Sequence, residues 1–194
     1  MAANLKQRPQ NFYTLDEYFA LEKQGDKRYE YWDGEIFCMS GGSTQHSIIS
    51  TNMTVEIGIQ LKGKKCRVFN SDQSVYTPAL PPYRYPDVSV VCGKPNSINL
   101  LGIDAVTNPT VVFEVLSEWT EEADRSVKKV AYQALESLQE YLLVSQEEPH
   151  VTQFIRQGDN WLRKDFGDLT AIVDLPSIGC QLALSDVYEG VEFN

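Results

Sequence analysis

Pro86-Asp87-Val88-Ser89-Val90-Val91-Cys92, Val111-Val112-Phe113-Glu114-Val115-Leu116 and the stretch from Asp124 to Tyr132 decide the fold of this chain. The first two read as neighbouring buried strands, each carrying one carboxylate where buried carboxylates are expensive. An ionised Asp or Glu against a core needs a metal, a lysine or a strong hydrogen-bond donor. The third stretch brings a lysine pair, Lys128 and Lys129, on a helix that follows at once.

Working outward, about Glu121 to Gln139 reads as one amphipathic helix, with Val127, Val130, Ala131, Ala134, Leu135 and Leu138 at three- and four-residue steps. Glu140 to Ser145 is then a strand. Strand, helix, strand with buried apolar strands predicts a parallel pair joined by a right-handed crossover.

Upstream, Thr14-Leu15-Asp16-Glu17 is a capping box that starts a short helix ending at Gly25. Arg28 to Trp32, Asp33-Gly34 and Glu35 to Met39 form a hairpin signal. Gly41-Gly42-Ser43 breaks the second strand. A helix then runs from Ser43-Thr44 to about Gly63, with Ile48, Ile49, Met53, Val55 and Ile59 mostly inward. Cys66 to Phe69 and Gln73 to Tyr76 read as strands, and Gly93 to Asn108 as a polar connection. Downstream, Val151 to Arg156 and Trp161 to Asp165 form a second hairpin; Ala171 to Val173 and a short helix near Leu184 to Tyr188 follow. The expectation is one α/β domain over residues 1–194, with a mixed, partly antiparallel central sheet flanked by helices.

A chain of 194 residues, 42% hydrophobic and 23% charged, has an ordinary globular composition and can bury a substantial core. No apolar run approaches the roughly 20 residues of a bilayer span. Met1 to Gln10 is polar and has no signal-peptide core, which predicts cytoplasmic residence. Cys38, Cys66, Cys92 and Cys180 form no C-x-x-C pair, so they read as core thiols rather than a zinc site or a disulfide framework. A net charge of -10 weighs against a strong general nucleic-acid binder. Acidic surfaces are still compatible with nucleases whose bound cation supplies positive field.

Asp87 opens its strand just after a proline, and Glu114 sits mid-strand between apolar neighbours. If the strands pair, both carboxylates can enter one pocket and hold Mg²⁺ or Mn²⁺, hard cations that prefer oxygen ligands. Such an ion polarises a phosphoryl oxygen and acidifies a bound water. A lysine nearby would steady the developing charge. The plainer alternatives are a strand-end cap for Asp87 and a structural salt bridge from Glu114 to Arg125. For Lys128 the alternative is a solvated lysine paired with Asp124.

Pro86-Asp87, Phe113-Glu114-Val115-Leu116-Ser117 and Asp124-Arg125 with Lys128 and Tyr132 resemble the PD-(D/E)XK nuclease superfamily. More closely, the chain is similar to the Uma-type family, described as putative restriction endonucleases. The likeness extends over almost the whole chain, from Tyr29-Glu30-Tyr31-Trp32-Asp33-Gly34-Glu35 through Ser40 to His46, Cys66-Arg67-Val68-Phe69 and Tyr141-Leu142-Leu143-Val144 to Tyr188-Glu189-Gly190-Val191. It departs at one place: where the superfamily motif has Lys two residues after the Glu, this chain has Leu116. The resemblance implies that the lysine has moved to the following helix, where Lys128 fits, with Tyr132 one turn later on the same face. Lys129 points about 100° away and fits less well.

The resemblance thus implies a restriction-endonuclease-like fold with Asp87 and Glu114 as metal ligands and Lys128 as the third catalytic residue. Glu30, His46, Ser117, Asp124 and Tyr132 are possible shell residues; the plainer alternatives are a solvated strand residue for Glu30, a helix-start histidine with a structural hydrogen bond for His46 and a loop cap for Ser117. DNA is the expected substrate, with a homodimer to address two strands. The runner-up keeps the fold without turnover, as a degenerate nuclease domain that binds nucleic acid, metal or a protein partner. No Gly-rich phosphate loop, G-x-S-x-G elbow or H-E-x-x-H pair supports another enzyme class. His150 follows Pro149 in a polar turn and reads as a loop residue. Any sequence recognition would fall to loops such as Thr77 to Tyr85 or Lys94 to Asn108.

Overall fold

The computed structural model describes residues 12–25, 27–32, 34–38, 42–79, 81–100, 102–118 and 120–193. The polar start from Met1 to Gln10, Asp33 of the hairpin turn, Met39 at the expected end of the second strand, Ser40, and Gly41 of the strand break lie outside the described residues. The chain divides into two units, 1–41 and 42–194.

In the first unit, the capping box forms as the sequence predicts. Thr14 accepts from the Glu17 backbone N–H, and Glu17 reaches back to the Thr14 N–H at 2.7 Å, which starts helix α1 (Leu15–Glu22). Strands β1 (Tyr29–Trp32) and β2 (Glu35–Cys38) pair antiparallel, with Gly34 at φ +85° in their turn. Only glycine enters that left-handed region without steric cost. The buried Glu22 ties helix to hairpin by accepting from the Tyr29 N–H.

The second unit is built on a six-stranded sheet. Its members are β3 (Cys66–Asn70), β6 (Val88–Cys92), β9 (Val111–Val115), β10 (Glu140–Val144), β11 (Val151–Gln157) and β12 (Asn160–Phe166). Their order is β12-β11-β10-β9-β6-β3, and only β9 and β10 run parallel. A smaller sheet, β5-β4-β8-β7, joins β4 (Ser74–Tyr76), β5 (Tyr83–Arg84), β7 (Ser97–Leu100) and β8 (Ile103–Val106). A last antiparallel pair, β13 (Ile172–Leu175) and β14 (Cys180–Ala183), leads into α5 (Leu184–Val187). The mixed α/β fold with antiparallel hairpins is the one expected.

Alternation of side chains makes the sheet two-faced. Val88, Val90, Val111, Phe113 and Leu142 face Ile49, Met53, Ile57 and Leu61 of α2 (Thr44–Leu61), together with Leu175, Leu182 and Val187. Val112, Tyr141 and Leu143 face the other way, onto Tyr132, Leu135 and Leu138. The expected inward set of α2 is corrected in part: Val55 and Ile59 are exposed, and Ile57 and Leu61 take their place. Ile49, Met53, Ile57 and Leu61 keep strict four-residue spacing, which is what a narrow stripe on a sheet requires.

Three further expectations are corrected. The helix from Glu121 to Gln139 is shorter and broken in register: α3 (Glu121–Ala123), a π turn (Asp124–Lys128) and α4 (Lys129–Gln133), ending near Ala134. The wider turn rotates Val127 and Val130 outward, 38% and 65% exposed. The connection from Gly93 to Asn108 is not polar loop; it holds the β7–β8 hairpin, turned at Gly102. Finally, the cysteines are not all thiols. Cys66 and Cys92 stand directly opposite on β3 and β6 and form a disulfide, while Cys180 is a buried thiol and Cys38 an exposed one. A separation of 26 residues hid the pairing, because register rather than local spacing creates it.

Candidate active site

The register between β6 and β9 builds the site. Val88 pairs with Phe113 and Ser89 with Val112, so Asp87 stands one rung further on, opposite Glu114. Opposed residues of an antiparallel pair project to the same face. Because Val88 and Phe113 belong to the α2 face, Asp87 and Glu114 belong to the other. On β10, Leu143 is the parallel neighbour of Glu114.

Asp87 is fixed from two sides. Its Oδ2 accepts the Val115 backbone N–H at 2.7 Å, and its Oδ1 lies 3.2 Å from Nε2 of His46. His46 sits in the first turn of α2, where Ser43 caps the helix by accepting the His46 N–H. Burial alone would lower the pKa of His46. The hydrogen bond and charge of Asp87, helped by Asp124, outweigh that and raise it above 6.5 despite Lys128. The two elements therefore close on each other as a charge-assisted pair.

Glu114 is buried, and its Oε2 lies 3.8 Å from Nζ of Lys128. Lys128 in turn lies 2.8 Å from Oδ1 of Asp124, also buried. Asp124 and Lys128 are the two ends of the π turn, a distortion that recurs at functional sites. The alternative partner for Glu114 is overturned: Arg125 is exposed and binds Glu121 at 2.7 Å. The alternative for Lys128 holds only in its partner, since the Lys128–Asp124 pair forms inside the protein rather than in solvent. Lys129 points elsewhere, its Nζ 5.0 Å from the centre of the Phe154 ring.

Sequence reasoning missed Tyr141. Its hydroxyl donates to the Asp124 carbonyl at 2.9 Å, and its ring packs against Tyr132. Burial first, then the charges of Glu114 and Asp124, hold its phenol well above the ordinary value, so it remains a neutral donor. The signal available was a tyrosine next to the apolar run Leu142-Leu143-Val144, since a buried phenol needs a partner.

Ser117 bonds the Thr120 hydroxyl at 2.9 Å and accepts the Thr120 N–H, which is the cap alternative. Glu30 lies buried on β1 in the first unit. His150 precedes β11, with Nε2 3.3 Å from Asp165. A further buried carboxylate, Glu140, is occupied structurally by the Ser177 N–H and the Gln153 amide.

The donor set is one a hard cation would accept. Asp87 and Glu114 supply oxygen from one rung, and Oδ2 of the neighbouring Asp124 is buried without a hydrogen-bond partner among the described residues. Among the described residues no three His, Cys, Asp or Glu side chains form a ready cage. Mg²⁺ commonly takes one or two carboxylates and completes its shell with water and phosphate, so two suffice.

Comparison with known proteins identifies the family and the fold. The chain belongs to the Uma2 family, described as "Putative restriction endonuclease", whose pattern matches residues 15–185. It is 34% identical over 179 residues to the uncharacterized protein slr1290 of Synechocystis sp. strain PCC 6803, covering 92% of each chain. It is 31% identical over 150 residues to sll1609 of the same organism, covering 77% of this chain and 84% of that one. Its fold is similar to a crystal structure described as a putative nuclease belonging to DUF820 from Anabaena variabilis. There the TM-score is 0.62 at 21% identity, over 86% of this chain and 93% of the other. Among the described residues no helix is long and apolar enough to cross a membrane.

Proposed function

We propose that the protein is a Mg²⁺- or Mn²⁺-dependent endonuclease that hydrolyses phosphodiester bonds of DNA. The observation that carries this reading is the Asp87–Glu114 rung with Nζ of Lys128 3.8 Å from Glu114. Asp87 and Glu114 would hold the cation, which when bound polarises a phosphoryl oxygen and activates water.

The remaining work belongs to the chain. The Val115 N–H and His46 hold the Asp87 carboxylate in one orientation, so little reorganisation accompanies substrate binding. Asp124 anchors the Lys128 ammonium beside Glu114, where it offsets negative charge that builds on the phosphoryl oxygens. The buried rings of Tyr141 and Tyr132 pack together beside Asp124 and would keep bulk water from the buried charges. Cytoplasmic residence and a homodimer, which addresses both strands of a duplex, belong to the same reading.

The second reading, a nuclease-fold domain without turnover, is favoured by the net charge of -10. Titration of Mn²⁺ into folded wild type, Asp87→Ala and Glu114→Ala tests the metal seat. Binding by wild type that either substitution abolishes supports the metal seat, and plasmid nicking by the loaded protein then separates the enzyme from a domain without turnover. Binding of equal strength in Asp87→Ala would refute this ligand set.

A further inference from the structure

We propose that the β3–β6 end opposite Asp87 is a cationic docking surface for the phosphate backbone of a nucleic acid. Asp87 precedes the first residue of β6 and Gly93 follows the last, six residues or roughly 20 Å of extended strand away. The surface is therefore separate from the carboxylate site. Its partner class rests on the nuclease reading.

Lys65, Arg67 and Lys94 meet here and Lys62 and Lys64 precede them in the turn after α2, five of the 17 Lys and Arg in a chain of net charge -10. Lys65, Arg67, Gly93, Lys94 and Pro95 line an open groove of about 420 Å³. Among the described residues none of these five cations has a carboxylate within 4.0 Å. By contrast, Arg125, Lys128 and Arg163 are each neutralised by a neighbouring acid. Lysines just past α2 also complement the negative end of that helix. That effect does not extend to Arg67 and Lys94, which the strands bring to the groove.

The surface is held rigid. The Cys66–Cys92 disulfide and the bond from the Gly93 N–H to the Lys65 carbonyl, 2.8 Å, join the two strand ends that carry the cations. Gly93 turns the chain at φ +81°, a conformation that side chains other than glycine rarely adopt. Lys64 is committed to the Gly179 carbonyl at 2.8 Å. Arg67 donates from Nη1 to the carbonyls of Lys64 and Cys66, both at 2.8 Å. Its Nε and Nη2 have no protein partner among the described residues, which leaves one planar edge of the guanidinium for a bidentate oxyanion. A fixed fork between two lysines suits a chain of phosphates. On an otherwise acidic molecule it is also where a polyanion can land without repulsion.

Anisotropy of a fluorescein-labelled DNA duplex in EDTA, between about 50 and 200 mM salt, tests this directly. Wild type should bind. Lys65→Ala/Lys94→Ala, with an unchanged melting temperature, should bind roughly tenfold more weakly, and its log–log salt slope should shrink by about 2. Arg67→Lys keeps the charge and loses the fork, so it should weaken binding at an unchanged slope. Equal affinity and slope in the double variant would overturn the proposal, as would no binding by wild type. Stronger competition by poly-L-glutamate than by unlabelled duplex would also overturn it, in favour of an acidic protein partner. Plasmid nicking run in parallel separates the two claims. Duplex binding that needs Lys65 and Lys94 without any nicking sinks the nuclease reading alone. Nicking with duplex binding indifferent to both lysines sinks the groove alone.

Discussion

Lys128 shows how tightly chemistry and stability are bound together at single residues. It is the cation that two buried carboxylates share, so Lys128→Ala leaves Asp124 and Glu114 buried without it. Breaking a buried pair from one side typically costs about 3–5 kcal/mol. Urea unfolding should show a loss of that size, whereas Arg125→Ala, which breaks only an exposed pair, should cost under about 1 kcal/mol. Equal losses would mean that the Lys128 network is solvated. Tyr141→Phe removes only the donor to the Asp124 carbonyl and should cost about 0.5–1.5 kcal/mol, with the ring packing kept. A second titrating group is exposed. The hydrogen bonds and charge of Arg163, with help from Thr152 and His150, hold Asp165 at about 2, below its ordinary 3.8. A depressed carboxylate contributes stability above its unfolded value and loses it as pH falls through the folded one. Asp165→Asn should therefore flatten the fall in stability between about pH 4 and pH 2, as followed by thermal melts. An unchanged acid limb would contradict the pairing.

At the scale of elements, the strands were readable because burial on both faces leaves a near-continuous apolar run. Val111 to Leu116 interrupted only by Glu114 is conspicuous against that background. The placement of Asp87 opposite Glu114 follows from antiparallel register, which sequence suggests only through pairing order. The helix was harder. Val127 and Val130 sit at helical spacing from Ala131 and Ala134, so periodicity counted them inward, yet the π turn carries both to solvent. Asp124 and Lys128, four residues apart, share the buried face as they would in a regular helix; what a regular 3.6-residue pattern does not encode is the outward turn of Val127 and Val130. The β7–β8 hairpin escaped notice because exposed strands such as Ser97–Leu100 lack an apolar face to alternate. His46 reads from sequence as a helix-start histidine or a shell residue, and its contact with Asp87 emerges only when α2 meets β6.

For the whole molecule, the disulfide is the clearest handle. It closes a span of 26 residues between an edge strand and its neighbour. Linking such a loop restricts the unfolded chain and typically stabilises by about 2–4 kcal/mol. Reduction, or Cys66→Ser/Cys92→Ser, should lower the midpoint of unfolding accordingly, and reductant should then leave the double variant unmoved. An oxidised wild type that melts with the double variant would deny the link any role in stability. The net charge of -10 sets the other global expectation: binding to nucleic acid should weaken with salt only as far as the few groove cations contact phosphate, because the slope follows the number of phosphates neutralised.

The central claim is that Asp87, Glu114 and Lys128 form one hydrolytic site, and cleavage of supercoiled plasmid with Mg²⁺ or Mn²⁺ tests it most directly. Wild type should nick the plasmid, and folded Asp87→Asn, Glu114→Gln and Lys128→Met should each lose at least about 100-fold of that rate, the scale of a lost electrostatic catalyst. Nicking that persists equally in all three variants would contradict the account.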